Sequence, residues 1–252
     1  MPIQKIQHIN LENKCLSYGF FTRNGGVSKY PFNSLNCSFN VNDNENNVKE
    51  NLRLVSHELK LKKIIKLNQI HSSKVFIINN KNKHSDFLHA DGLVTKLTGI
   101  GLSILGADCA PILFFDDKSE TIGACHAGWR GAVANIVEST IISMEKIGAN
   151  RQNINAVIGP TIQNQSYEIR EDVAQIVRES SSFEKNNSIL SHIKNDKYLF
   201  DLPLLLKENL KISQINKIDD ININTYDNNN LFFSHRYSSH QKLSKIGITG
   251  RH

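Results

Sequence analysis

Cys109 and His126 stand at the two ends of the part of this sequence least like structural filler, ADCAPILFFDDKSETIGACHAGWRG from Ala107 to Gly131. Between them run an apolar segment, Pro111 to Phe115, a charged turn, Asp116 to Glu120, and a second apolar segment, Thr121 to Cys125. That pattern predicts strand, turn, strand. A hairpin returns the chain on itself, so the thiol at the entry of one strand and the imidazole at the exit of the other are expected to lie close together. Cys125 adjoins His126, but neighbours in a strand point to opposite faces, which makes Cys125 a small core residue.

His71 is the third candidate, in the run KKIIKLNQIHSSKVFIIN, read as two β-rich segments around a polar centre. If the strand continues, Gln69 and His71 share a face. A single histidine in a strand is more often a structural residue than a ligand. With Cys109 and His126, however, it completes a set of two imidazoles and one thiolate suited to Zn²⁺, with the fourth tetrahedral position open for water or substrate. Zinc lowers the pKa of a bound water to about 7, which supplies a nucleophile at neutral pH. The same atoms without a metal describe a Cys109 nucleophile with His126 as base, as in thiol hydrolases. A binding module that holds an anion without turning it over is a third reading and ranks last. His71 discriminates the first two, because a dyad needs one histidine. Asp108, beside Cys109, is either an orienting carboxylate or a turn residue.

The elements that must position these residues follow from periodicity. Val48, Leu52, Val55 and Leu59 predict an amphipathic helix over 43–60. Strand-like runs fall at Leu16 to Thr22, Leu93 to Thr95 after the turn signal Asp91-Gly92, Gly101 to Leu105, INAVIGP, and Lys197 to Asp201. After His126 the period changes to that of a helix through Val133, Ile136, Val137, Thr140, Ile141 and Met144, stopped at Gly148. Its mouth carries Gly128 and Gly131, with Arg130 alongside. Exposed N–H groups and the helix dipole would favour a phosphate there, and the glycines serve equally well to let the helix pack on the preceding strand. Further helices are expected at 167–179 and 202–210, with a polar loop at 180–197, and the Leu231 to Phe233 run as buried. Arg236 and Arg251 flank a loop in the tail. Several short strands in succession argue for α+β rather than regular βαβ alternation. No repeat or linker-like shift appears, so residues 1–252 are read as one domain.

Bulk composition excludes more than it assigns. With 39% hydrophobic and 21% charged residues, the chain suits a globular protein large enough to bury a core. A formal charge of +6 permits an anionic ligand, but the lysines are dispersed, which ranks nucleic acid well below a small anion. The four cysteines, Cys15, Cys37, Cys109 and Cys125, follow no disulfide or CxxC framework, and the opening MPIQKIQHIN is no signal peptide. No run approaches the roughly 20 apolar residues of a spanning helix. A reduced cytoplasmic protein with no membrane partner is the simplest expectation, and oligomeric state is not readable.

The strings NQIHSSKV, ADGLVT, ADCAPILFFD, HAGWRGAV, IGP and FFS…TGR, with the opening block FFTRNGGVSKYPFNSLNCSFNV, occur in one order over nearly the whole chain. This set resembles the YfiH/YlmD laccase-domain family, labelled multicopper polyphenol oxidases and more recently purine nucleoside phosphorylases. The resemblance implies an α+β layered sandwich of mixed β-sheets with flanking helices, and a zinc on His71, Cys109 and His126. It implies phosphorolysis of adenosine, inosine, guanosine and 5′-methylthioadenosine, with adenosine deaminase as a second activity. Purine nucleoside and phosphate are then the small-molecule partners. Arg23 enters by its match to the family's TRxGG turn, alongside Arg130, Gly128 and Gly131 as substrate-binding candidates. The family has also been connected with editing of peptidoglycan precursors, and its older label implies copper. A multicopper oxidase needs many more than three ligands, so copper ranks below zinc. The sequence departs from the family's pattern at Asn42, where a Gly is usual, at His235-Arg236-Tyr237 in place of Tyr-Arg-Arg, and in a longer segment before TGR; the tail is expected to border the pocket, so these changes bear on substrate preference and leave the metal triad intact.

Overall fold

The computed structural model describes residues 2–7, 16–83, 88–241 and 249–251. Cys15, and most of the lengthened segment before the final TGR, lie outside the described residues. The chain begins with a two-stranded antiparallel pair, β1 (Lys5–Ile6) and β2 (Phe20–Phe21), shorter than the expected 16–22 strand. A loop rich in Asn and Ser follows. It ends at Asn42, whose φ of 63° is the left-handed conformation that Gly adopts freely and Asn tolerates best among the other residues. That accounts for a Gly or Asn at this position. Helix α1 (Glu45–Glu58) matches the predicted span, and the Asn44 side chain caps it by accepting the Asn46 N–H at 2.9 Å.

Short strands then alternate with turns: β3 (Lys63–Ile65), β4 (Leu67–Asn68), β5 (Val75–Ile78), β6 (Leu88–His89), β7 (Gly92–Thr95) and β8 (Ile100–Leu102). The hairpin read from sequence is β9 (Ala110–Asp116) and β10 (Thr121–Ala127). Helices α2 (Trp129–Val133) and α3 (Ile136–Glu145) come next, then β11 (Asn155–Ile158). The remainder comprises β12 (Glu168–Arg170), α4 (Glu171–Arg178), α5 (Ser181–Lys185), β13 (Leu190–Lys194), β14 (Lys197–Phe200), α6 (Leu202–Ile212), β15 (Lys217–Asp220) and α7 (His235–His240).

The central sheet has the order β15-β11-β9-β10-β7-β5, antiparallel from β11 through β7 and parallel at both edges. Alternation sorts its side chains. Ile112, Phe114, Cys125 and Val94 turn to one face, where Ile136, Val137, Ile141 and Met144 of α3 and Leu205, Leu206 and Leu210 of α6 bury against them. Each such aliphatic side chain contributes about 1.5–3 kcal/mol of burial free energy. Leu93 and Ile78 turn to the other face and pack with Ile65, Leu67 and Ala90. The architecture is α+β, as expected, with helices layered on a mixed central sheet and, among the described residues, four smaller sheets, each purely parallel or antiparallel, beside it. Among the described residues no helix is long and apolar enough to cross a membrane.

Four expectations need correction. The helix after His126 is two helices, because Asn135 sits at φ 57° and caps α3 by accepting the Glu138 N–H at 3.3 Å. The helix expected from residue 167 starts at Glu171, since Glu168–Arg170 pairs instead with β14. The polar 180–197 segment is not a loop: Ser180 caps α5, and Leu190–Lys194 pairs with β14. The strand before His71 stops at Asn68, and His71 itself has φ 57°, so a shared strand face with Gln69 does not exist.

Candidate metal centre and active site

The β9–β10 register explains why Cys109 meets His126. His126 pairs with Pro111 and Ala127 with Ala110, which places Gly128 opposite Cys109 one step beyond the last pair. Cys109, Pro111 and His126 therefore share a face, and Cys125 takes the other, fully buried. Gly128 is required there by crowding. A Cβ on it would fall 2.9 Å from Cys109 Sγ and 3.0 Å from His71 Cδ2.

His71 arrives from the turn between β4 and β5. It lies in the left-handed region, a conformation costing a non-glycine residue about 1 kcal/mol, and the strain is held by Asp91. The Asp91 carboxylate is fully buried and accepts from the N–H groups of Ile70 (3.2 Å), His71 (2.9 Å) and Ser72 (2.6 Å), and from the Ser72 hydroxyl (2.9 Å). It also contacts His126 Nδ1 at 2.9 Å, while its carbonyl accepts the His126 N–H at 2.7 Å. One carboxylate thus fixes both histidines, and leaves His126 Nε2 as the nitrogen free to take a ligand role. The sequence reading took Asp91 only as a turn residue and looked to Asp108 for this role. Asp108 instead accepts from the Thr225 hydroxyl (2.8 Å) and the Arg236 N–H (2.7 Å), joining the hairpin to the tail.

The ligand atoms of His71, Cys109 and His126 lie within 4.8 Å of one another, the one such cluster among the described residues. Cys109 Sγ is 3.9 Å from His71 Nε2, and the two imidazole rings meet edge to face at 4.7 Å. Burial disfavours the Cys109 thiolate, but the positive charge of His126 and hydrogen bonds from both histidines prevail and bring the thiol down to about 6. Burial likewise disfavours the His126 imidazolium, and the charges of Cys109 and Asp91 raise it to about 9. Burial would raise the Asp91 carboxyl, yet the bonds from His126 and Ser72 hold it at about 2. Two imidazoles and one thiolate fit Zn²⁺ in type and number. The same donor set occurs in copper electron-transfer sites, whose weak axial ligand is a methionine, a glutamine or a backbone oxygen; Gln69 lines this cavity, and Met144 lies in the core against Gly123.

The cluster opens into a cavity of about 430 Å³. Ser38, Asn40, Gln69, Asp108, Tyr167, His235, Arg236 and Arg251 contribute its polar lining besides His71, Cys109 and His126. The expected substrate-binding set is placed differently. Arg23 donates to the carbonyls of Asn33 (2.8 Å) and Asn229 (2.9 Å), lies 4.3 Å over the Phe233 ring, and does not line the cavity. Arg130 is exposed, with its guanidinium 4.3 Å from the Trp129 ring, and also lies off the lining. Gly131 sits tightly below the Ser72 carbonyl, where an added Cβ would approach to 3.3 Å. The long helix expected behind the glycine mouth is absent, since α2 has five residues. The tail does border the cavity through His235, Arg236 and Arg251, though neither arginine was singled out as a binding residue, and Tyr167 was missed.

A sequence profile described as multi-copper polyphenol oxidoreductase laccase matches residues 17–252. The chain is 31% identical to the purine nucleoside phosphorylase RP494 of Rickettsia prowazekii, over 92% of this chain and 93% of that one. It is 30% identical to the purine nucleoside phosphorylase YlmD of Bacillus subtilis, over 94% of this chain and 88% of that one. The crystal structure of the Bacillus licheniformis protein YfiH superposes with a TM-score of 0.85 at 30% identity, covering 92% of this chain and 89% of that one. The site's hairpin, its glycine-crowded thiol and its tail all fall within the matched span, and the chain belongs to the multi-copper polyphenol oxidoreductase laccase family.

Proposed function

We propose that this chain is a zinc-dependent purine nucleoside phosphorylase acting on adenosine, inosine, guanosine and 5′-methylthioadenosine, with adenosine deamination as a second activity. The observation that carries the reading is the convergence of three ligand atoms within 4.8 Å in the wall of a cavity of nucleoside size. The phosphorylase names of relatives covering nearly the whole chain support it. In the reaction a phosphate oxygen bonds to ribose C1′ while the glycosidic C1′–N9 bond breaks. The electron pair leaves with the base, which takes up a proton, giving free purine and ribose 1-phosphate. When bound, zinc supplies Lewis-acid polarisation in the cavity. The chain's own residues do the rest of the positioning. Asp91 fixes the two histidines, Gly128 lets the thiolate approach them, and Ser38 and Asn40 line the cavity as polar groups available to sugar hydroxyls. Incubation of zinc-loaded protein with adenosine and phosphate is expected to release adenine and ribose 1-phosphate, read by chromatography. Fully loaded protein that yields neither free base nor inosine would sink the reading.

A second reading draws on the Cys109 thiol at about 6 beside His126 at about 9, the thiolate–imidazolium state of a cysteine hydrolase. Under it His71→Ala keeps substantial activity and Cys109→Ala loses all. Under the zinc reading both variants lose metal and turnover, which elemental analysis reads directly.

A further inference from the structure

Among the eight arginines of the chain, Arg53, Arg151, Arg170 and Arg178 pair with carboxylates, and Arg23 and Arg130 lie off the cavity. Arg236 and Arg251 differ from all of these. Both line the cavity that contains His71, Cys109 and His126, and among the described residues neither guanidinium meets a carboxylate within ion-pair distance. Each is anchored by neutral groups. Arg251 Nη1 donates to the carbonyls of Thr249 (3.1 Å) and Gly250 (3.0 Å). Arg236 Nη1 donates to the Glu168 carbonyl (2.9 Å), and its guanidinium lies 5.3 Å over the Tyr167 ring. Carbonyls and an aromatic face orient a guanidinium without neutralising it. In both residues Nε and Nη2 keep their donors without a protein partner among the described residues. The acid of the cavity wall, Asp108, is engaged by the Arg236 backbone N–H and the Thr225 hydroxyl rather than by either guanidinium.

We propose that Arg236 and Arg251 form the seat of the oxyanion co-substrate, inorganic phosphate, in place of the Arg23, Arg130 and glycine-mouth set expected from sequence. This rests on the reading of the cavity as a phosphorylase site. Two positive forks that line one cavity from separate parts of the tail suit a small tetrahedral dianion with several acceptor oxygens.

The test uses zinc-loaded full chain and inorganic phosphate, with binding measured by calorimetry and phosphate KM by base release. Arg236→Gln and Arg251→Gln are each expected to weaken phosphate about tenfold or more, with zinc content and nucleoside KM unchanged. Arg251→Lys is expected to recover part of the loss. If Arg251→Gln fails to fold, Arg236→Gln and Arg251→Lys carry the test. Unaltered phosphate binding in the Gln variants overturns the proposal, as does a loss seen in Arg130→Gln instead, or a wild-type protein that binds no phosphate. Phosphate bound through both arginines without base release would refute the nucleoside reading and leave the seat standing. Base release with phosphate KM unchanged in the Gln variants would do the reverse.

Discussion

Three described cysteines carry the same thiol and meet different surroundings. Burial pushes Cys37 and Cys125 up to about 12, so both remain neutral core residues at any physiological pH. Cys109 is brought down to about 6 by the two histidines, and raises His126 to about 9 in return. Between these values the pair holds one proton, on His126. Ligation needs the thiolate and a free His126 Nε2, so zinc uptake must expel that proton while Nδ1 stays on Asp91. The expected result is release of one proton from this pair between about pH 6 and 9, two below 6 and none above 9. Apparent zinc affinity then gains about tenfold per pH unit across that window. Titration calorimetry in buffers of different ionisation enthalpy checks it, and a pH-independent affinity would show that the pair is not coupled in this way. Cys109 and His126 were legible in sequence because a two-residue periodicity and one turn suffice to bring them together. Asp91 was not, since an Asp-Gly step reads as a turn and nothing local reveals a carboxylate that gathers bonds from residues 70–72 and 126.

At the scale of elements, the hairpin register sets how tightly the centre can close. Gly128 stands where a side chain would fall on Cys109 and His71, so the close approach of β10 to the ligand turn depends on a missing Cβ. Gly128→Ala is expected to fold, because φ at this position is an ordinary −76°. It should weaken zinc about tenfold or more, since overpacking of this kind costs about 1–3 kcal/mol. Competition against a chelator would measure it, and wild-type affinity would contradict the crowding argument. The strands around this centre were legible from alternation, and α1 and α6 from their apolar stripes. The break between α2 and α3 was not, because it turns on a single left-handed Asn135 inside an unbroken helical period. The strands at 168–170 and 190–194 escaped for a related reason. Their pairing with β14 is non-local, and β13 shows mostly exposed side chains without an apolar alternation.

Across the whole molecule, the cavity is closed by segments far apart in sequence. Asn36 is fully buried, and its Oδ1 accepts the N–H of Ser38 (3.1 Å) and of Arg251 (2.9 Å), while Nδ2 donates to the Ser38 carbonyl (3.1 Å) and Asp43 (2.9 Å). The Arg251 carbonyl accepts the Cys37 N–H at 2.8 Å in return. Asn36→Ala removes this strap and leaves buried amides unpaired, at a cost of about 2–3 kcal/mol. A fall in Tm of several degrees is expected by scanning calorimetry, together with weaker phosphate binding as Arg251 loses its anchor; an unchanged Tm would show that the strap contributes nothing. Pairings of this range cannot be read from any window of sequence, which is why the tail was legible as a border of the pocket while Arg236 and Arg251 registered as loop-flanking charges without a role.

The strap also orders events in biosynthesis. On a ribosome His71, Cys109 and His126 emerge with more than a hundred residues still to come, whereas Asn36 must wait for residue 251 before its last bond can form. An ion can therefore be captured by a nascent chain long before the pocket has its arginines. On the proposed reading, metal loading and acquisition of the co-substrate site become separate steps, and a chain stopped before residue 251 is expected to bind metal without phosphorolysis.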